Sequence, residues 1–289
     1  MGFDNPVVPW REVERRLTWS SADSDPPPPE PMPSWQGYSR RRAIDLPAAP
    51  SGAVPWTELH CHSAYSFLDG ASEPDQLVAE AIRLGLEAIA VTDHDGMYGA
   101  ARLACAANMA KETGVEIGTV FGAELSLGLA ARQNGVSDPV GEHLLVLARD
   151  QHGYGRLSAA ISAAQVRGRK GAPSYDRTEL AAAAAGHWAV LTGCRKAAVP
   201  SALAAGGPRA AEAALRALVE MFGSEHVYVE LVDQDQPLDD ERNDVLYALA
   251  RTVGVEVVAT NNVHYARPRD APLAQVLAAV RARRSLDDL

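Results

Sequence analysis

The sequence predicts an α/β protein built as a TIM-like barrel, on three observations. From Trp56 onward, short β-rich apolar runs alternate with helical patterns, the mark of strands joined by crossover helices around a mostly parallel sheet. Seven such units fit between residue 56 and residue 289, which suits one barrel better than two domains. Polar, chemistry-bearing side chains gather at the ends of several different strands, as they do at the mouths of barrel enzymes. The alternative is an open doubly wound sheet.

In chain order, strand one is expected at 56–61 (WTELHC) and is followed by a helix at 73–84, which Ser72 can cap, Pro74 opens and Gly85 ends. Strand two falls at 88–93 (AIAVTD), with a helix at 98–113, and strand three at 117–125 (IGTVFGAEL). The loop GLAARQNGVSDPVG between Leu127 and Glu142 has the composition of an excursion or a hairpin. Strand four at 144–148 leads into helices at 152–166 and 178–185. Strand five (188–193), a helix at 208–222, strand six (227–232), a helix at 239–253, strand seven (255–261) and a helix at 270–283 complete the pattern.

Residues 1–54 differ in kind. They hold 10 of the 19 prolines, including Pro26 to Pro29, so this part is expected to be a Pro-rich extension or linker outside the core, with 55–289 as the barrel domain. Within it, Trp10, Val13 and Leu17 have the spacing of a short amphipathic helix, marginal alone and suited to docking on a neighbouring surface.

With 289 residues, 47% hydrophobic and 22% charged, the chain can bury a large core. It has no run of 18 apolar residues and no secretory signal at its start, so a cytoplasmic location and no membrane partner are expected. The three cysteines, Cys61, Cys105 and Cys194, are odd in number and far apart, which argues against a disulfide framework. A net charge of -10 argues against a dedicated nucleic-acid-binding module. The local basic clusters (Arg40, Arg41, Arg42; Arg167, Arg169, Lys170; Arg281, Arg283, Arg284) are expected to be solvated surface.

Strand one ends in His60-Cys61-His62, where the period of two sends both imidazoles to one face and Cys61 to the other. Alone, such a pair reads equally as a polar strand end or as two metal ligands. Strand two ends in Asp93-His94-Asp95, and a carboxylate accepting the second ring N–H of a metal-bound His fixes its tautomer, the role expected of Asp93 or Asp95. Glu124 is a lone acid in an apolar run, where it calls for a metal or a basic partner. His143 opens the next run, Cys194 closes strand five, and Asn262 and His264 follow strand seven. Imidazoles and carboxylates together suit Zn²⁺, Mn²⁺ or Fe²⁺, and so many ligands suit two or three ions, the arrangement of metal-assisted phosphoester hydrolysis. His152, His187 and His226 are expected at the surface.

The segments HCHSAYSFLDGAS, AIAVTDHDGMYG, FGAEL, HLLVLAR, LTGC and VVATNNVHY, in this order over residues 56–289, resemble the polymerase and histidinol phosphatase (PHP) domains at the N-terminus of bacterial C-family DNA polymerase alpha subunits. PWREVERRL and VRARRSLDDL resemble the error-prone, damage-inducible branch of actinobacterial type. The resemblance implies a distorted (β/α)7 barrel of PHP type with one to three divalent metal ions at its mouth. It implies the ligands His60, His62, Asp69, His94, Glu124, His143, Cys194, position 262 and His264, with Glu124 bridging. Where the family reads Asn-Asp-x-His, this chain has Asn261-Asn262-Val263-His264, so a neutral amide replaces a carboxylate. Weakened metal binding and low 3′–5′ exonuclease or pyrophosphatase activity are therefore expected.

The acidic trio of the family's palm domain is not among these residues, so the chain is expected to be the N-terminal portion of a longer polymerase, either a fragment or a truncated product. Expected partners are DNA, held by the other polymerase domains, and mutagenesis or replication proteins such as the sliding clamp. A stand-alone phosphoesterase and a non-catalytic interaction module are the competing expectations.

Overall fold

The computed structural model describes residues 55–133, 136 and 139–288. The Pro-rich segment, its Trp10–Leu17 helix and the Arg40–Arg42 cluster lie outside these residues.

Seven strands form one sheet in sequence order, β1 (Thr57–Glu58), β2 (Ala88–Val91), β3 (Gly118–Leu127), β4 (Glu142–Ala148), β5 (Trp188–Leu191), β6 (Val227–Val232) and β7 (Glu256–Thr260). The sheet curls on itself: Cys61 bridges Val263 in parallel, with His62 N–H donating to the Val263 carbonyl and Val263 N–H to that of His60, both at 2.8 Å. This is a nearly closed barrel of the expected class. Its helices are α1 (Pro74–Leu84), α2 (Ala100–Glu112), α3 (Gln151–Arg167), α4 (Arg177–Ala184), α5 (Ala198–Phe222), α6 (Asp239–Val253) and α7 (Ala271–Ala282).

Three local expectations are corrected. Strand β1 is shorter than 56–61 because the Cys61 N–H turns to Thr92 Oγ1, at 3.0 Å, instead of a ladder partner. Helix α1 is opened by Glu73, whose N–H is taken by Gln76 Oε1 at 2.9 Å, while the Ser72 hydroxyl accepts from the Ala266 N–H. Helix α5 begins ten residues ahead of the expected 208, at Ala198, and kinks at Gly207 (φ 71°) before Pro208. The Gly-Gly-Pro sequence reads as a helix boundary, yet Gly207 absorbs the left-handed turn and helical geometry resumes at once.

The sheet is mostly parallel, with one strand reversed. β1–β2–β3 and β5–β6–β7 pair in parallel, but β4 is antiparallel to both neighbours. The loop after Leu127 is thus the hairpin alternative, and the mouth of the barrel receives the C-terminal ends of six strands and the N-terminal end of β4.

Strand alternation divides the core. Val91, Ile89 and Cys61 face outward onto α1 and α2 through Leu77, Val78, Ile82 and Leu103. Leu144, Val146, Val190 and Val229 face outward onto the long helices through Leu157, Leu215 and Leu246. The interior is floored by Ala90, Leu145, Leu147 and Leu191, with Leu59, Val120, Tyr228 and Val258 packed against them. Above this dry floor the inward positions turn polar.

Candidate metal centre

Glu124 is the hub of the mouth. It is the single acid in β3, fully buried, and four imidazoles approach it: His143 Nδ1 at 3.0 Å, His94 Nδ1 at 3.4 Å, His62 Nε2 at 3.5 Å and His60 Nε2 at 3.6 Å. The bridge between His94 and Glu124 continues the β2–β3 pairing, and this places the ligands of two strands side by side. Burial alone would raise the Glu124 carboxyl, but His143, then His60 and His94, hold it well below the usual carboxylate range.

The tautomers of the HxH pair follow from their partners. His60 Nδ1 lies 2.7 Å from Glu230 Oε1; a carboxylate only accepts, so this nitrogen donates and Nε2 is the atom turned toward the mouth. The Ser66 hydroxyl donates to Asp93 Oδ1 at 2.8 Å, so it can only accept from His62 Nδ1, 3.2 Å away, and His62 Nε2 is also left free inward. The two Nε2 atoms face each other at 3.2 Å. Burial opposes a charge on His60, yet Glu230, Glu124 and Glu58 raise it to about 9. His62 goes the other way, pushed well below its ordinary value by burial and by His94 and His264, against which its ring stacks at 4.6 and 4.8 Å.

Asp69 enters from the loop after β1. That loop packs so tightly that a Cβ on Gly70 would lie 1.9 Å from the Ser63 carbonyl oxygen, so only glycine fits there. Asp69 Oδ2 meets His94 Nε2 and His264 Nδ1, each at 3.2 Å. Despite burial, these contacts hold its carboxyl far below the usual range. Its other oxygen pairs with Arg281 of α7. Cys194 Sγ lies 3.3 Å from His143 Nδ1, its thiol pushed up by burial and by Glu124. Asn262 sits in the left-handed region (φ 48°), which Asn tolerates better than most residues, and its Oδ1 is buried without a hydrogen-bond partner.

The nine residues named from the sequence therefore lie around one mouth, on a cavity of about 530 Å³: His62, Asp69, His94, Glu124, His143, Cys194, Asn262 and His264 border it, and His60 lies behind His62. The residues fit divalent metal. Glu124 Oε1, His94 Nδ1, His143 Nε2 and Asn262 Oδ1 are buried without a hydrogen-bond partner. Three groups, His60–His62–Glu124, His62–Asp69–His94 and His94–Glu124–His143, each bring three ligand atoms within 4.8 Å of one another.

The role expected of Asp93 or Asp95 is corrected. Neither touches an imidazole: Asp93 accepts from Ser63 and Ser66, reaching His62 only through the Ser66 hydroxyl, and Asp95 accepts from the Ser126 N–H and the Tyr175 hydroxyl. Both are raised by burial. Arg281, expected on a solvated surface, is instead three-quarters buried against Asp69; Arg283 and Arg284, like Arg167, Arg169 and Lys170, are exposed. His152 is exposed, while His187 and His226 are half-buried and pair with Asp150 and Arg149, away from the mouth.

Glu230 and Glu58 were not expected at the site. Glu230 holds the His60 ring, and Glu58, raised by burial, accepts the His60 and Asn261 N–H groups and so ties β1 to β7. The signal was present: each is a lone acid in a β run, TELH and VYVELV, as Glu124 is in its own.

A PHP-domain profile matches residues 58–234. The chain is 50% identical to an error-prone DNA polymerase of Mycolicibacterium paratuberculosis over 99% of its own length and 26% of that protein's. It is 48% identical to an error-prone DNA polymerase of Cutibacterium acnes over 100% of its length and 25% of the relative's. It thus spans about a quarter of the length of the curated relatives it matches. Among solved structures, an amidohydrolase of Chromobacterium violaceum aligns with 74% of this chain and 89% of its own at 14% identity, TM-score 0.47.

Proposed function

Because the chain belongs to the PHP-domain family, we propose that it serves as the N-terminal metal-binding portion of an error-prone DNA polymerase acting in damage-induced, translesion DNA synthesis. The observation that carries this reading is near-half identity across essentially the whole chain to error-prone DNA polymerases of two actinobacterial genera. DNA, bound through further polymerase domains, and replication proteins such as the sliding clamp are the partners this implies, in the cytoplasm. No helix among the described residues is long and apolar enough to cross a membrane.

His60, His62, Asp69, His94, Glu124, His143, Cys194, Asn262 and His264 are the residues that would hold divalent metal, of the Zn²⁺, Mn²⁺ or Fe²⁺ type. Ions bound there would supply activation of water and neutralisation of phosphoryl charge. The chain's own part is to orient and to exclude solvent. Glu230 and Ser66 aim two imidazoles inward, Glu124 joins four imidazoles carried by β1, β2 and β4, and Arg195 and Lys196 on the cavity wall favour an anionic substrate. The neutral Asn262 weakens the centre, so hydrolysis by this chain is slow.

The coding sequence beyond codon 289 tests the polymerase reading: it is expected to continue into a region with an acidic active-site trio, and a frame closing there would overturn it. For the centre, metal-loaded chain incubated with 5′-labelled single-stranded DNA is expected to release nucleotides slowly, and Asn262→Asp to raise metal affinity and turnover by roughly tenfold. Equal values in the two proteins would overturn the weakened-centre reading. The three ligand groups at one cavity also favour a second reading, a phosphoesterase that works without polymerase domains. Rapid hydrolysis of p-nitrophenyl phosphate by the chain would support it.

A further inference from the structure

We propose that Glu230 is the positioning residue that aims His60 and supplies, on the β6–β7 side of the mouth, the negative charge that position 262 lacks. This deepens the metal-centre reading and rests on it.

Glu230 has no exposed side-chain surface. Its backbone is pinned, the N–H donating to Thr192 Oγ1 at 2.8 Å. One carboxylate oxygen, Oε1, takes the His60 Nδ1 proton at 2.7 Å and the hydroxyl proton of Thr260, which stands two residues before Asn262 on the same edge. The other, Oε2, is buried with no hydrogen-bond partner, and Glu230 borders the same cavity as Asn262. A buried carboxylate left half-satisfied is costly, and this one lies beside the imidazole of a ligand-bearing strand.

The other cavity acids are committed elsewhere. Asp69 pairs with Arg281, Asp239 with Arg242, and Glu124 stands among four imidazoles on the β3 side. Glu230 is the cavity acid bonded to β7 itself, through Thr260, and Asn262, two residues on, brings no charge. An anionic partner on the outer nitrogen of a metal-bound His fixes its tautomer and makes the ring a better donor. Charge delivered through His60 can therefore offset part of what Asn262 fails to deliver directly.

The test compares four full chains: natural, Glu230→Gln, Asn262→Asp and the double variant. Zinc stoichiometry is measured by elemental analysis and affinity by competition with a chelator. Glu230→Gln, which keeps the volume, is expected to lose about 10- to 100-fold in affinity, and Asn262→Asp to recover about tenfold in that background. In the zinc-loaded natural protein, ¹⁵N-edited NMR is expected to place a deshielded proton on His60 Nδ1, and the Glu230→Gln spectrum to have that signal shifted upfield. A purely structural role would lower stability and leave these readouts alone.

Unchanged affinity in Glu230→Gln, no recovery in the double variant, or His60 protonated at Nε2 would each overturn the proposal. The NMR result on the natural protein decides even if the variant does not fold. If the natural protein takes up no zinc, the metal reading of the function fails and this inference with it; if it does and Glu230→Gln matches it, this inference alone fails.

Discussion

His143 and Leu145 stand two residues apart on β4, face the same barrel interior and are nearly equally buried, at 6% and 0% exposure. One belongs to the mouth and the other to the floor. Leu145 meets Ala90, Leu147 and Leu191, and needs nothing but contact. His143 meets Glu124 and Cys194, and its Nε2 is left without a partner. Burial is the same at both levels; what differs is the demand it creates. The floor is satisfied by packing within the chain, whereas the mouth holds several polar atoms that the chain does not satisfy, which is the condition of a site built for a ligand.

This contrast can be broken from either end. Truncation at the floor should act on the fold alone: Leu145→Ala is expected to cost about 2–5 kcal/mol of unfolding free energy, measured by urea denaturation of metal-free protein, with zinc stoichiometry kept. A changed stoichiometry would mean that floor and mouth are not separable. Truncation at the mouth should act on the ligand. Zinc at a hundred times its dissociation constant should stabilise the natural protein by about 2.7 kcal/mol, and Glu124→Ala, which removes the carboxylate shared by His60, His62, His94 and His143, should abolish that increment. Retention of the increment would remove Glu124 from the centre.

The smallest effect concerns the seam between α1 and the segment after β7. Arg83 and then Arg267 hold the Glu80 carboxyl below its ordinary value of 4.5. A depressed acid contributes stability above its unfolded value and loses it as the pH falls through the lower folded one. Glu80→Gln should therefore melt a few degrees lower than the natural protein at pH 7, with the gap narrowing only below pH 4.5. A gap independent of pH would mean that packing and not charge holds this seam.

Much of this was legible in the sequence because it is local. Apart from α5, the strands and helices fall within a few residues of their expected positions, since period-two and helical patterns, Pro74, Gly85 and Gly254 mark them directly. The HxH pair, His94 and Glu124 were visible as polar residues at strand ends or alone in an apolar run, and Asp69, in the loop after β1, through the resemblance of its segment. Even the direction of β4 left a trace, because His143 precedes its apolar run whereas the other imidazoles follow theirs.

The sequence by itself determined the barrel class and the chemical types gathered at its mouth, because hydrophobic periodicity and residue identity act over a few residues. Tertiary structure alone decided which groups touch. Glu230 reaches His60 across 170 residues and Arg281 reaches Asp69 across 212, while Asp93 and Asp95, the nearest acids in sequence to His94, turn to hydroxyl and amide donors instead. Closure of the barrel at Cys61 and Val263 brings the first and last strands together, and hydrogen bonds made by that closure are fixed by geometry that no local pattern encodes.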